Sequence, residues 1–234
     1  PFFLIACVGI VVFFISLNVI PILKEHLITK GDPKQKSAIV EVFNNKNQLY
    51  ALCITLAIML GQFAIIPLIS TYMVTNVGFT EYTLTYLYIF GGIAAMIIAP
   101  LSGRLGDRFG KFPVFMIFSL LLTLPIFGIT NLGNQPLLFP LIVSTLLFTF
   151  SSGRMVCGMA LILSSVDSKH RGGFMSLNTA IQQLGAGVAA FIAGSIVTLG
   201  PSGELQHYNY VGYWAIFLAF VSIFIASKVK PAEL

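Results

Sequence analysis

The sequence predicts an all-α integral membrane fold of seven transmembrane helices, and three observations predict it. Of the 234 residues, 57% are hydrophobic and only 9% charged, against about 25% charged in an average soluble domain. A water-soluble fold of this size cannot cover its surface with so few charges. The solvent is therefore lipid, and a soluble enzyme, a nucleic-acid-binding domain and a disordered chain are excluded. Charge-free windows at 1–23, 47–80, 82–103, 112–153, 172–203 and 205–227 reach or exceed the roughly 20 residues that a helix needs to cross a bilayer core of about 30 Å. These runs are continuous, whereas a membrane β-barrel shows alternating segments of about ten residues.

The helices follow in order. The first is placed at 2–23, where the chain opens Pro1-Phe2-Phe3 without Met and shows neither the basic start nor the small-residue cleavage site of a signal peptide. That opening is expected of a chain entered part-way along a longer one. The segment 24–48, with five Lys and three acids, is a polar connection and a natural boundary between halves. The second helix is placed at 49–74 and the third at 83–102. The window 112–153 is too long for one span, and Asn131-Leu132-Gly133-Asn134-Gln135-Pro136 supplies turn chemistry that splits it into helices at 112–130 and 137–165. Helices at 173–199 and 210–228 complete the seven, with a short tail at 231–234. Pro67, Pro125 and Pro140 are candidate kinks within them.

Basic residues set the expected orientation. Lys24, Lys30, Lys34, Lys36 and Lys46, then Arg104, Arg108 and Lys111, then Lys169 and Arg171, then Lys228 and Lys230 all fall on one side of a seven-span chain. The connections at 75–82, 131–136 and 200–209 hold no Lys or Arg. The positive-inside rule makes the basic side, and with it the C-terminus, cytoplasmic. The net charge of +5 is thereby read as a topology signal, with anionic-lipid contact a by-product. Cys7, Cys53 and Cys157 lie in apolar runs without paired or metal-like spacing, so neither a disulfide frame nor a metal site is indicated.

Between the third and fourth helices stands Gly103-Arg104-Leu105-Gly106-Asp107-Arg108-Phe109-Gly110-Lys111. Read physically, glycines bracket a tight reversal, and Asp107 precedes a helix start whose dipole favours negative charge. A short positive-inside loop would explain the basic residues but neither the acid nor the glycine spacing. The run resembles the G-x-L-A-D-R-x-G-R-K signature of the major facilitator superfamily. Gly103, Leu105, Asp107, Arg108 and Gly110 agree with it, and Lys111 keeps a basic charge. Gly106 stands where Ala is usual, and Phe112 where the last basic residue would be. Three helices before the run and four after it match the second-half copy of that signature.

The resemblance therefore implies helices 6–12 of a twelve-helix carrier. Residues 1–23 would be the last helix of the N-terminal half, 24–48 the central loop and 49–230 a C-terminal six-helix bundle. Asp167-Ser168-Lys169-His170-Arg171-Gly172-Gly173 also looks like a family loop, and Gly153-Arg154-Met155-Val156 and Gln182-Gln183-Leu184-Gly185 are similar to bacterial drug- and sugar-efflux members. The implied setting is the bacterial inner membrane. The implied partners are lipid, a small-molecule substrate and the N-terminal half of the same protein, with no nucleic acid.

Polar residues within spans are the candidate pathway. Arg154 is the only formal charge inside one. A central Arg costs roughly 2.5–3.5 kcal/mol on insertion scales, so it should face a cavity or a partner, unless it snorkels to the boundary. Ser144, Ser151, Arg154 and Gly158 share one helical face, interrupted by Leu147. Asn178, Gln182, Gly185 and Ala189 form a second stripe, and Thr55 and Gln62 a third, with Gln183 off-stripe beside Ser176. Such amides either join helices or touch solute. Gly185 with Ala189, Ala190 with Gly194, and Gly91-Gly92 have spacing that permits close helix packing. The helices at 112–130 and 210–228, nearly free of polar residues, are expected to face lipid on most sides.

No Asp or Glu is placed inside a span, and His26, His170 and His207 fall in loops. Any proton coupling would then act through helices ahead of residue 1, and no other cofactor is implied. The expected function is secondary active transport by rocking of two halves around a central site, with efflux of drug-like or sugar-like compounds implied by the resemblance. A uniporter, or an organic-anion carrier using Arg154, stays open. An enzyme lacks any H-E-x-x-H, G-x-S-x-G or paired intramembrane acids, and a seven-helix receptor or scaffold leaves the run at 103–111 unexplained.

Overall fold

The computed structural model describes residues 45–133, 135–167 and 171–230, together with Ile10, Phe14, Ile15 and Val42. It divides into two compact units, Pro1–Lys36 and Ser37–Leu234. In the first, Ile10, Phe14 and Ile15 are helical; the rest of the helix expected at 2–23, and most of the connection at 24–48, lie outside the described residues, as does the tail at 231–234. The second unit holds six helices long and apolar enough to cross a membrane, so six of the seven expected spans are present among the described residues.

These are α1 (Lys46–Thr75), α2 (Glu81–Phe109), α3 (Lys111–Thr130), α4 (Leu138–Ser164), α5 (Arg171–Ile196) and α6 (Tyr208–Ala226). Local chemistry sets their starts. The Asn45 side chain accepts hydrogen bonds from the Asn47 and Gln48 amides and caps α1. Thr80 and Thr83 form a reciprocal capping box at α2. Pro140 stands in the first turn of α4, where the missing N–H has no intrahelical partner to lose. Between α5 and α6 the chain adds a feature not expected from the sequence. Strands β1 (Thr198–Leu199) and β2 (Leu205–Gln206) pair antiparallel in a small hairpin.

The packing partners have an internal symmetry. Helix α2 lies on α4, α3 on α4, α5 on α1 and α6 on α1, while α3 meets α6 and α1 meets α4. Exchanging α1, α2, α3 for α4, α5, α6 turns these pairs between the two groups into one another, whereas within the groups α1 meets α2 more closely than α4 meets α5. The pattern between the groups is the one an inverted repeat of two three-helix groups has.

Two buried clusters fill it. One, toward the end that lacks Lys and Arg, gathers Ala64, Ile65, Ile69, Leu122, Ile126 and Leu147 with their neighbours. The other, toward the basic end, gathers Ile54, Ile58, Phe115, Phe118, Cys157 and Leu161. Helices α1 and α6 are tied at both ends by the same device. The Asn76 carboxamide accepts from the Leu205 amide and donates to the Leu205 carbonyl, each at 2.9 Å. At the opposite end Asn47 accepts from Lys230 N at 2.9 Å and donates to Lys230 O at 2.7 Å. Since Leu205 and Lys230 bracket α6, the pair is clasped along its whole length, and Tyr208 adds an inner bond to the Ile65 carbonyl at 3.1 Å.

Helices α3 and α6, expected to face lipid on most sides, have 44% and 39% of their most apolar stretches buried, so more than half of each is unburied, and α2 and α5 are more open still at 11% and 17%. The two most open faces of the bundle are therefore on α2 and α5. Lipid and a protein interior are equally apolar solvents, so hydrophobicity alone does not separate them.

Candidate functional site

The run at 103–111 is helical for most of its length. Residues Gly103 to Phe109 form the last two turns of α2, and only Gly110, with φ +95°, makes the reversal into α3. The expected glycine-bracketed loop is thus a one-residue hinge. The two earlier glycines serve packing instead: a Cβ on Gly106 would meet Cys157 Sγ at 3.7 Å and one on Gly103 would meet Val156 at 3.9 Å, so both face α4. Their small size lets α2 lie close along that helix.

Asp107 is exposed in the final turn of α2. That is the unfavourable end of the α2 dipole for an acid, but Asp107 borders the same cleft as Lys111, Phe112 and Pro113 of the first turn of α3, whose dipole favours it. The cleft, about 440 Å³ and open, is also lined by Leu161, Ser164 and Val229. Arg108 lies beside Phe109, its guanidinium carbon 5.2 Å from the ring centroid. Leu105 is half-buried against the cluster at the basic end.

The intramembrane polar residues fall into two groups inside the bundle. Arg154 is only 2% exposed, which excludes snorkelling. Its Nη2 donates to Gln62 Oε1 at 3.5 Å, a long bond, and its Nε has no partner among the described residues. Gln62, Ser151 and Arg154 line a small, partly open pocket of about 10 Å³ with Leu122, Ile126, Leu147 and Ala215, drawn from α1, α3, α4 and α6. The second group joins α1 to α5. Thr55 Oγ1 donates to Asn178 Oδ1 at 2.6 Å, and Asn178 is fully buried, so here the amide is a helix joint. Gln182 is half-buried beside it, on a small cavity with Thr55, Met59, Met155 and Met159. Gln183 is exposed.

Of the small-residue pairs, Gly185 and Ala189 pack as expected. A Cβ on Gly185 would stand 3.0 Å from Met59 Cβ and 3.2 Å from Leu56 Cδ1. Ala190 is exposed and Gly194 faces open space, so that pair does not pack within the chain. Gly91 admits the Phe148 ring, with no room for a Cβ, whereas Gly92 faces open space. Sequence reasoning missed the burial of Ser119 in α3, where its hydroxyl has no partner among the described residues, and the Asn47 and Asn76 clasps. Their only signal was an amide residue at each end of a span.

Residues 51–233 match the family model of the Major Facilitator Superfamily. The chain belongs to that superfamily, a class of multi-pass membrane transporters. It is 25% identical over 170 residues to AraJ of Escherichia coli (strain K12), whose name describes it as a transporter; the match covers 70% of this chain and 40% of that protein. It is 30% identical over 138 residues to the Multidrug resistance protein MdtG of Escherichia coli O1:K1 / APEC, covering 53% of this chain and 32% of MdtG. The chain thus spans less than half the length of these curated relatives.

Proposed function

We propose that the protein is a secondary active transporter that exports drug-like small solutes from a bacterial cell across the inner membrane by alternating access. The observation that carries this reading is the pairing pattern of an inverted three-helix repeat, with α2 ending in the superfamily's signature run, over the span matched by the family model. Similarity to MdtG favours drug-like cargo over sugars. In this reading the described bundle is the rear half of the carrier, and the basic end, with the C-terminus, is cytoplasmic. The open faces of α2 and α5, with Met96, Ile97, Leu184 and Phe191 exposed, pack against a preceding set of helices. The solute path runs between the two sets.

Asp107 and Arg108 latch the cytoplasmic side in one state by pairing across that boundary, and Gly110 hinges it. Gln62 and Gln182 are the two half-buried members of the polar set, and so have surface to offer a solute. Arg154 and Ser151 stand behind Gln62, and Asn178 behind Gln182. The test is export in cells stripped of their own efflux pumps and carrying the full-length gene. A panel of lipophilic drugs and dyes should accumulate less than in vector controls, and Gln182→Ala should shift the inhibitory concentration of at least one compound several-fold at equal protein level. Equal accumulation across the panel, with sugar phosphates or free sugars exported instead, would contradict the drug-like cargo.

A further inference from the structure

A carboxamide donates at one end and accepts at the other, and it turns end for end at little cost, so its neighbours decide which end faces where. At Gln62 that neighbour is Arg154. A guanidinium has five N–H donors and no acceptor. It therefore attracts the carbonyl end of Gln62 and repels the NH2 end, whose hydrogens carry positive charge. The structure holds that sense: Arg154 Nη2 donates to Gln62 Oε1 at 3.5 Å, with Arg154 buried. The bond is long, but in a low-dielectric interior the sign of a dipole beside a full charge counts for more than in water. The other end of Gln62 is free. Its Nε2 makes no hydrogen bond among the described residues, and unlike Arg154 Nε and Ser119 Oγ it is not buried away from the surface. Gln182 differs. Also half-buried, it makes no side-chain hydrogen bond among the described residues, so its amide can turn to suit whatever meets it.

We propose that Gln62 is a specificity-determining residue, held donor-outward by Arg154 as its positioning residue, and that the solute carries a hydrogen-bond acceptor, a carbonyl or sulfonyl oxygen, where it meets α1. The proposal rests on the carrier reading above, in which Gln62 borders the solute path. Arg154 then acts on solute choice through Gln62: removing it changes which solutes are preferred. A solute that brings only an N–H or O–H to this point sets hydrogen against hydrogen. One that brings a methylene strips water from the Gln62 NH2 and gives nothing back. Either mismatch forfeits one hydrogen bond, which lowers affinity about tenfold.

The experiment is thermal unfolding of the purified full-length protein in detergent with two planar tricyclic probes of the same skeleton. Fluorenone has a carbonyl and no N–H; carbazole has an N–H and no carbonyl. A ligand that binds only the folded state raises the melting temperature with the logarithm of its concentration. Fluorenone is expected to give the same rise at about tenfold lower concentration than carbazole in the wild type and in Arg154→Lys, which keeps a donor-only neighbour. Gln62→Glu leaves one oxygen on Arg154 and turns the other outward as an acceptor, so the preference should reverse. Arg154→Met frees the amide to turn, so the preference should narrow. Equal potency of the two probes in the wild type overturns the proposal, as does a response to neither, a fluorenone preference that survives Gln62→Glu, or one unaltered in Arg154→Met. Should Arg154→Met fail to fold, Gln62→Glu decides alone, since Arg154 is intact in it. Probe discrimination without export of any compound in the drug panel would support this proposal and remove the efflux reading; export without discrimination would do the reverse.

Discussion

Asp107→Asn in the full-length carrier is expected to lower the transport rate about tenfold while leaving the amount of protein in the membrane and its melting temperature within error of the wild type. Asn keeps the size and polar shape of the side chain and removes only the charge. Within the described bundle that charge is exposed in the last turn of α2, so its loss disturbs no buried contact and costs little stability. Across the proposed latch the situation differs. A hydrogen bond to a charged group contributes about 1.5–3 kcal/mol, and losing even the lower figure shifts a two-state balance about tenfold. The distinguishing readout is the split between rate and stability. A parallel fall in both would mean that Asp107 acts as a local anchor between α2 and α3, and an unchanged rate would remove the latch.

Gly185→Val is expected to be strongly destabilising through the contact of α5 with α1. Its first carbon meets Met59 Cβ at 3.0 Å and Leu56 Cδ1 at 3.2 Å, and the two γ-methyls have nowhere to go except by pushing α5 off α1. Overpacking of this kind costs about 1–3 kcal/mol. The displacement would also stretch the nearby Thr55–Asn178 bond of 2.6 Å, adding the loss of an interhelical hydrogen bond that averages about 0.6 kcal/mol in membrane bundles. The measurement is the melting temperature of the purified protein alongside Gly194→Val, whose position faces open space. A large drop for Gly185→Val and a smaller one for Gly194→Val is the expected pattern; equal drops would mean that helix propensity, not the α1–α5 contact, sets the cost.

How much of this was legible beforehand depended on which solvent did the selecting. The six spans α1 to α6 could be placed because lipid demands an unbroken apolar run of fixed length, and composition records that directly. The stripes of Ser151 with Arg154 and of Asn178 with Gln182 were visible as helical faces. What a stripe cannot reveal is its partner. That Gln62 meets Arg154, and Thr55 meets Asn178, is decided by how helices distant in sequence lie together. The run at 103–111 was misread as a loop because glycine signals both a break and a close approach. Gly103 and Gly106 face α4 inside a helix, and only Gly110 needs a positive φ. The hairpin of β1 and β2 left no periodic trace, since strands of two residues are too short to have a period.

The central claim is that these helices cross the bilayer as an inverted repeat with the basic end in the cytoplasm. The direct measurement is labelling of single cysteines by a membrane-impermeant maleimide, in a version of the full-length protein freed of its own cysteines. Ser202 lies in the hairpin connection at the Lys- and Arg-free end, and Lys228 follows α6 at the other; both are exposed. Ser202→Cys should react in intact cells, and Lys228→Cys only after the membrane is permeabilised. The reverse pattern, or equal labelling of both in intact cells, would contradict the account.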